Sequence, residues 1–117
     1  MTLQILSFAR LSDKQIDLIH QSYPHCQCRC IRPTEAGDVL SEVDILLGYD
    51  AQMDMEKYLS KMSRLQWIHT YSAGVEKLLS NAMFSQSDIL LTNSRGIHGI
   101  PMAEHVLGTM LASSRCL

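Results

Sequence analysis

The stretch "DILLGYDAQMDMEKYLSKMSRLQWIHTY", Asp44 to Tyr71, decides how the rest of the chain is read. Its opening DILLGY is a continuous apolar run, the pattern of a strand covered on both faces. Met55, Tyr58, Leu59 and Met62 then recur at i, i+3, i+4 and i+7, which predicts a helix. LQWIHTY, Leu65 to Tyr71, is a further strand. Strand, helix and strand in so short a span argue for a parallel crossover.

The alternation extends in both directions. LQILSFA, Leu3 to Ala9, predicts a first strand. Ser12 is placed as an N-cap, Gln15 completes a capping box, and Leu11 can staple onto Ile16. Ile16, Ile19 and Tyr23 continue that helical face, and Pro24 stops it. CQCRCI, more polar, predicts an edge strand, and a short helix is expected from Thr34 to Val43. Downstream, Val75, Leu78, Leu79, Ala82 and Met83 repeat the helical spacing. DILLTNS, Asp88 to Ser94, predicts a fifth strand, and Pro101 opens a last helix.

Five strand–helix units predict an α/β fold: a three-layer, flavodoxin-like domain with a five-stranded parallel sheet in the order 2-1-3-4-5. Ligands of such sheets bind at the carboxyl ends of the strands. Here those ends are Ala9–Arg10, Tyr49–Asp50, Tyr71–Gly74 and Asn93–Gly96.

With 117 residues, 46% of them hydrophobic and 19% charged, the chain suits one globular domain. A formal charge of −2 gives no basic field, so nucleic acid is not an expected partner. No apolar run is long enough to span a bilayer, and the start carries no secretory signal pattern, so a cytoplasmic protein is expected. Cys26, Cys28 and Cys30 alternate along one predicted strand, which spaces neighbours about 6.6 Å apart. One zinc needs its thiolates within about 4 Å of one another. The three are therefore read as buried or half-buried small apolar residues in a reducing compartment.

Three places could carry chemistry. The first is TYSAGVEK, where Ser72, Ala73, Gly74 and Val75 fall between a strand end and a helix start. It reads either as a cradle for a carboxylate or phosphate, or as an N-cap serine in a tight turn. Asp50, at a strand end, lacks the acidic pair and the lysine that a phosphorylated receiver domain needs. NSRGIHGIPMAEHVLG, Asn93 to Gly108, holds two histidines and a glutamate. Glu104 and His105 are neighbours pointing about 100° apart on a helix, so they form no dyad. His98 and His105 have no chelating spacing, and GIHG is no dinucleotide fingerprint. Ala103, Val106, Leu107, Met110 and Leu111 form an apolar stripe instead, beside a small-residue ridge at Gly108 and Ala112.

LQWIHTYSAGVEKLL and ILLTNSRGIHGIPMAEHVLGTMLASSR together resemble the N-terminal part of the D-isomer-specific 2-hydroxyacid dehydrogenases. The AGV turn, the Asn at a strand end and the AEH helix recur there at matching spacing. The resemblance implies a substrate domain over residues 1–100. Residues 101–117 would then be a connecting helix toward a Rossmann domain that binds NAD or NADP. It implies that the backbone around Ala73 and Gly74 holds the substrate carboxylate, that Met102 lies near the nicotinamide, and that the 101–115 helix pairs two subunits into a homodimer. In that family the catalytic Arg, Glu and His and the GxGxxG loop follow the AEH helix. The expectation is therefore part of an NAD(P)-dependent oxidoreductase of D-2-hydroxy acids or 2-keto acids, inactive alone, with no catalytic residue, metal or cofactor of its own. Glu76 stands where members often have Asp, and Leu79 replaces a frequent polar residue. The alternatives are a stand-alone flavodoxin-like binding or interaction module and a degenerate receiver-like regulator.

Overall fold

The computed structural model describes residues 2–48, 54–72 and 74–117. Five short strands, β1 (Leu3–Ser7), β2 (Cys26–Cys30), β3 (Ile45–Leu47), β4 (Trp67–Thr70) and β5 (Leu90–Asn93), form one sheet. All its pairings are parallel, and the order is β2-β1-β3-β4-β5. The predicted α/β class and strand order are those observed, with the polar β2 at an edge.

Helix α1 (Asp13–Ser22) begins as its sequence predicts. Ser12 accepts from the Gln15 N–H, and the Gln15 side chain accepts from the Ser12 N–H, a complete capping box. The chain turns out at Tyr23, just ahead of Pro24. The expected helix over residues 34–43 is instead two 3-10 turns, Pro33–Glu35 and Gly37–Glu42. Ala36 stands between them, and Gly37, which opens the second, lies at φ +25°, outside the right-handed helical range. α2 (Met55–Leu59) is shorter than its periodicity suggests, although Met62 still reaches the core from the following turn.

The helix expected to run from Val75 through Met83 is also broken. α3 (Glu76–Leu79) ends at Ser80, and Asn81 starts α4 (Ala82–Ser85) by accepting from the Phe84 N–H at 3.2 Å. An asparagine that caps its own turn competes with helix continuation. Leu78 and Phe84 are buried, whereas the predicted Leu79 and Met83 are exposed. α5 (Gly99–Ser114) starts two residues before Pro101. The proline is harmless there, because the first N–H groups of a helix have no intrahelical acceptor.

The core lies on one sheet face. Leu6, Leu46 and Ile68 are adjacent in register and almost fully buried, and Leu91 extends the row. Leu40, Val43, Met55, Leu59, Leu78 and Phe84 cover them. Full burial of each such side chain stabilises by about 1.5–3 kcal/mol. The opposite face is thinner. The step from β1 to β2 runs opposite to the later steps, so a right-handed crossover places α1 on that face, away from the other helices. No α1 residue is fully buried. DILLGY was expected to be covered on both faces, but Ile45 and Leu47 are only half-buried around the fully buried Leu46. Tyr49, the last residue of that run, lies outside the described residues. Leu90 on the edge strand is 58% exposed.

The edge strand also corrects the cysteine reading. Cys28 is buried and Cys26 half-buried, but Cys30 is exposed. β2 ends there, and Cys30 Sγ accepts from the Leu11 N–H at 3.4 Å. All four cysteines are free thiols. No helix among the described residues is long and apolar enough to cross a membrane.

Candidate functional site

The carboxyl ends of the strands meet at tightly specified turns. Phe8 N donates to Leu47 O at 3.0 Å, and Gly48 N donates to His69 O at 2.9 Å, so pairing persists just past the sheet. Gly48 has φ +79°, and a Cβ there would lie 2.7 Å from both Ala9 N and Ala9 Cβ. Only glycine brings β3 so close to the β1–α1 turn. This is where strand order reverses, the usual ligand crevice of an open α/β sheet. Asp50, which sequence also placed at this edge, lies outside the described residues.

The Ser72–Val75 turn leaves β4. Thr70, fully buried, closes that strand in register with Asn93. The Ser72 N–H donates to Thr70 Oγ1 at 3.2 Å. The N-cap of α3 is Val75, which makes no side-chain cap, so Ser72 is not a capping serine. Ser72 and Gly74 are exposed and Val75 half-buried, while Ala73 lies outside the described residues. A Cβ on Gly74 would sit 2.9 Å from Glu76 Oε2, so the Glu76 carboxylate lies against this turn. Tyr71 flanks it, edge-on to His69 with ring centroids 5.6 Å apart. Burial raises the Tyr71 hydroxyl pKa, and the Cys28 and Cys30 thiols add to the shift.

From the neighbouring strand β5, Thr92 Oγ1 accepts from Trp67 Nε1 at 2.8 Å and bonds His69 Nδ1 at 2.7 Å, both on β4. Sequence reading passed over this threonine, because its role depends on the β4–β5 register. At the end of β5 the Asn93 side chain accepts from the Arg95 N–H at 3.4 Å. Met102 lies in the first turn of α5 and is 64% exposed. Glu104 and His105 are exposed on the same helix. No group of three metal-ligating side chains occurs among the described residues.

A second concave site lies at the ends of β1 and β2. It is a cleft of about 410 Å³ lined by Phe8, Ala9, Arg10, Cys30, Ile31 and Arg32, among others. Sequence reading placed Arg10 at a strand end and left Arg32 unconsidered. The available signal was two arginines, each two or three residues past the end of neighbouring parallel strands.

No protein-family model and no curated protein matches the chain. Solved structures do match it. It superimposes on a D-isomer specific 2-hydroxyacid dehydrogenase family protein from Aeromonas salmonicida subsp. salmonicida with a TM-score of 0.79 and 27% identity, covering 100% of this chain and 37% of that one. It also superimposes on phosphoglycerate dehydrogenase from Lactobacillus plantarum with a TM-score of 0.65, covering 96% of this chain and 35% of that one. At 21% identity this second likeness shows the fold alone. The chain thus spans little more than a third of the length of either. In its fold, and in the motifs from Leu65 to Arg115, it resembles a portion of the D-isomer-specific 2-hydroxyacid dehydrogenase family.

Proposed function

We propose that the chain is the substrate-domain portion of an NAD(P)-dependent oxidoreductase that interconverts D-2-hydroxy acids and 2-keto acids, working in the cytoplasm. The observation that carries this reading is the Ser72–Val75 turn. Its Ser72 and Gly74 are exposed past the carboxyl end of β4, in a chain all of which matches a portion of a dehydrogenase of the family. In this reading the turn holds the acid's carboxylate. The Ser72 N–H is already engaged by Thr70, so the hold comes from the Ser72 hydroxyl and the backbone of residues 73–75.

A dinucleotide does not fit the residues described. The β1–α1 turn, FARLS, contains no glycine, and a pyrophosphate needs a glycine-rich turn opening a helix. Met102 alone offers no cradle. The chain's share of the work is thus to bind and orient the acid, and hydride chemistry belongs to parts supplied from elsewhere. Residues 1–100 form the substrate domain, and residues 101–117 the connecting helix.

The test has two arms. The 117-residue chain titrated with NADH and followed by nicotinamide fluorescence is expected to show no micromolar binding and no oxidation; micromolar binding defeats the assignment. In an active enzyme carrying this segment, Gly74→Val is expected to lower kcat/KM for a 2-keto acid, because the new side chain crowds the anion. The clash it makes with Glu76 is with the tip of a flexible side chain, so the fold should survive. Unchanged kcat/KM makes the turn purely structural.

A further inference from the structure

We propose that the cleft at the ends of β1 and β2 binds a small organic dianion, with Arg10 and Arg32 each holding one anionic group. This proposal stands apart from the carboxylate turn on β4 and does not depend on it.

The cleft holds about 410 Å³, toward the lower end of the range for small-molecule sites. The two arginines approach it from different elements, Arg10 from the β1–α1 turn and Arg32 from the segment after β2. Two other arginines are ion-paired, Arg29 at 3.8 Å from Glu42 and Arg64 at 3.1 Å from Asp44, whereas Arg95 and Arg115 do not line this cleft. Arg10 and Arg32 have no ion-pair partner among the described residues. Both side chains are exposed and line one concavity, so each can turn its guanidinium onto an anion held there. Each offers a planar fork that matches a carboxylate or phosphate.

The rest of the lining argues for an organic linker between the charges. Phe8 and Ile31 are half-buried and give the cleft an apolar part of its lining. The walls are held in place. The buried Ser7 hydroxyl donates to Ala9 O at 2.6 Å, and Ile31 N donates to Ser7 O at 3.1 Å. Leu11 N donates to Cys30 Sγ, which ties the β1–α1 turn to the end of β2. Among the described residues, Asp13 lines an adjoining hollow shared with Arg10, and Glu35 ends the short turn that follows Arg32. Both carboxylates oppose an anion, so a ligand needs both arginines to hold it.

Succinate, propionate and inorganic phosphate separate the possibilities when each is titrated into the 117-residue chain and followed by amide and arginine side-chain NMR signals. Succinate is expected to shift residues 7–11 and 30–32 and the Nε–H signals of Arg10 and Arg32. Propionate, with one charge, should bind about tenfold more weakly, and so should succinate to Arg10→Gln or Arg32→Gln, each having lost one charge-assisted contact. Phosphate binding as tightly as succinate overturns the two-point arrangement, and an absence of shifts at these residues overturns the site. Cys30 supplies a second readout, because succinate should slow its alkylation by iodoacetamide, read by peptide mass. Equal slowing in both arginine variants overturns the proposal. Should a variant lose its fold by circular dichroism, the comparison of succinate with propionate on the unaltered chain decides.

Discussion

The carboxylate of Glu76 lies against Gly74, with Oε2 2.9 Å from where a Cβ on that glycine would be. A turn proposed to hold an anion therefore carries a negative charge of its own. Two unit charges about 4 Å apart in water repel by about 1 kcal/mol. Glu76→Gln is accordingly expected to tighten binding of a small 2-keto acid to this chain by about fivefold. Isothermal titration or NMR of both forms measures it. Equal affinity, with shifts confined to the turn, shows that Glu76 swings clear; shifts elsewhere remove the turn from the binding site.

Asp44 is buried just ahead of β3 yet carries a carboxylate. Gln4 N donates to it at 2.8 Å, and one Arg64 Nη donates to both its oxygens at 3.1 Å. Asp44→Ala leaves the Gln4 N–H unpaired, and Arg64→Ala leaves the buried charge without its cation. Arg64 is 46% exposed, which screens the pair, so each change is expected to cost about 2 kcal/mol rather than the full buried-pair value. The double variant should cost less than the two together, because the stranded charge is then gone. Urea unfolding of the four proteins measures the coupling, and strict additivity defeats this account.

Burial raises the thiol pKa of Cys28, and Cys30 beside it adds to the shift. In the unfolded chain this thiol ionises at its ordinary value of 9.0. Below that pH both states keep the proton, and the contribution is constant. Above it the folded state binds more protons than the unfolded one, so stability falls as pH rises through the folded pKa. Between neutral pH and about pH 10, the unaltered chain should lose more stability than Cys28→Val does. Equal losses, read from urea midpoints, place the pH sensitivity elsewhere.

No residue of α5 is buried, and Val106, Leu107, Met110 and Leu111 are all more than half exposed. Burying about 500 Å² of such apolar surface is worth on the order of 12 kcal/mol. Association costs about 4–15 kcal/mol, so pairing through these helices is within reach. We expect a two-fold dimer of this chain built on α5. Sedimentation at several concentrations tests it: only monomer at ~100 μM, or a dimer unaffected by Leu107→Glu with Met110→Glu, sinks the idea.

Much of the fold was legible because its signals are local or periodic. Ser12 and Gln15 cap α1 wherever that helix sits, since the bonds span three residues. The apolar runs at Leu3, Ile45, Trp67 and Leu90, spaced by helical patterns, specify parallel strands, and chirality leaves few orders for them. The Ser72–Val75 turn and the helix following Asn93 were legible for the same reason. Periodicity picked out Met55, Leu59, Met62 and Leu78, but tertiary structure decided the rest of the core. Phe84 takes the place that periodicity assigned to Met83, because Asn81 caps a new turn and resets the helical phase. Ile45 and Leu47 are only half covered, because β1 to β2 is the single backward step and sends one helix alone to that face. The Asp44–Arg64 pair and the cleft between Arg10 and Arg32 depend on segments twenty or so residues apart. Such contacts exist only once strand order and register are set, and a sequence read for local propensity and period carries no information about which distant side chains they join.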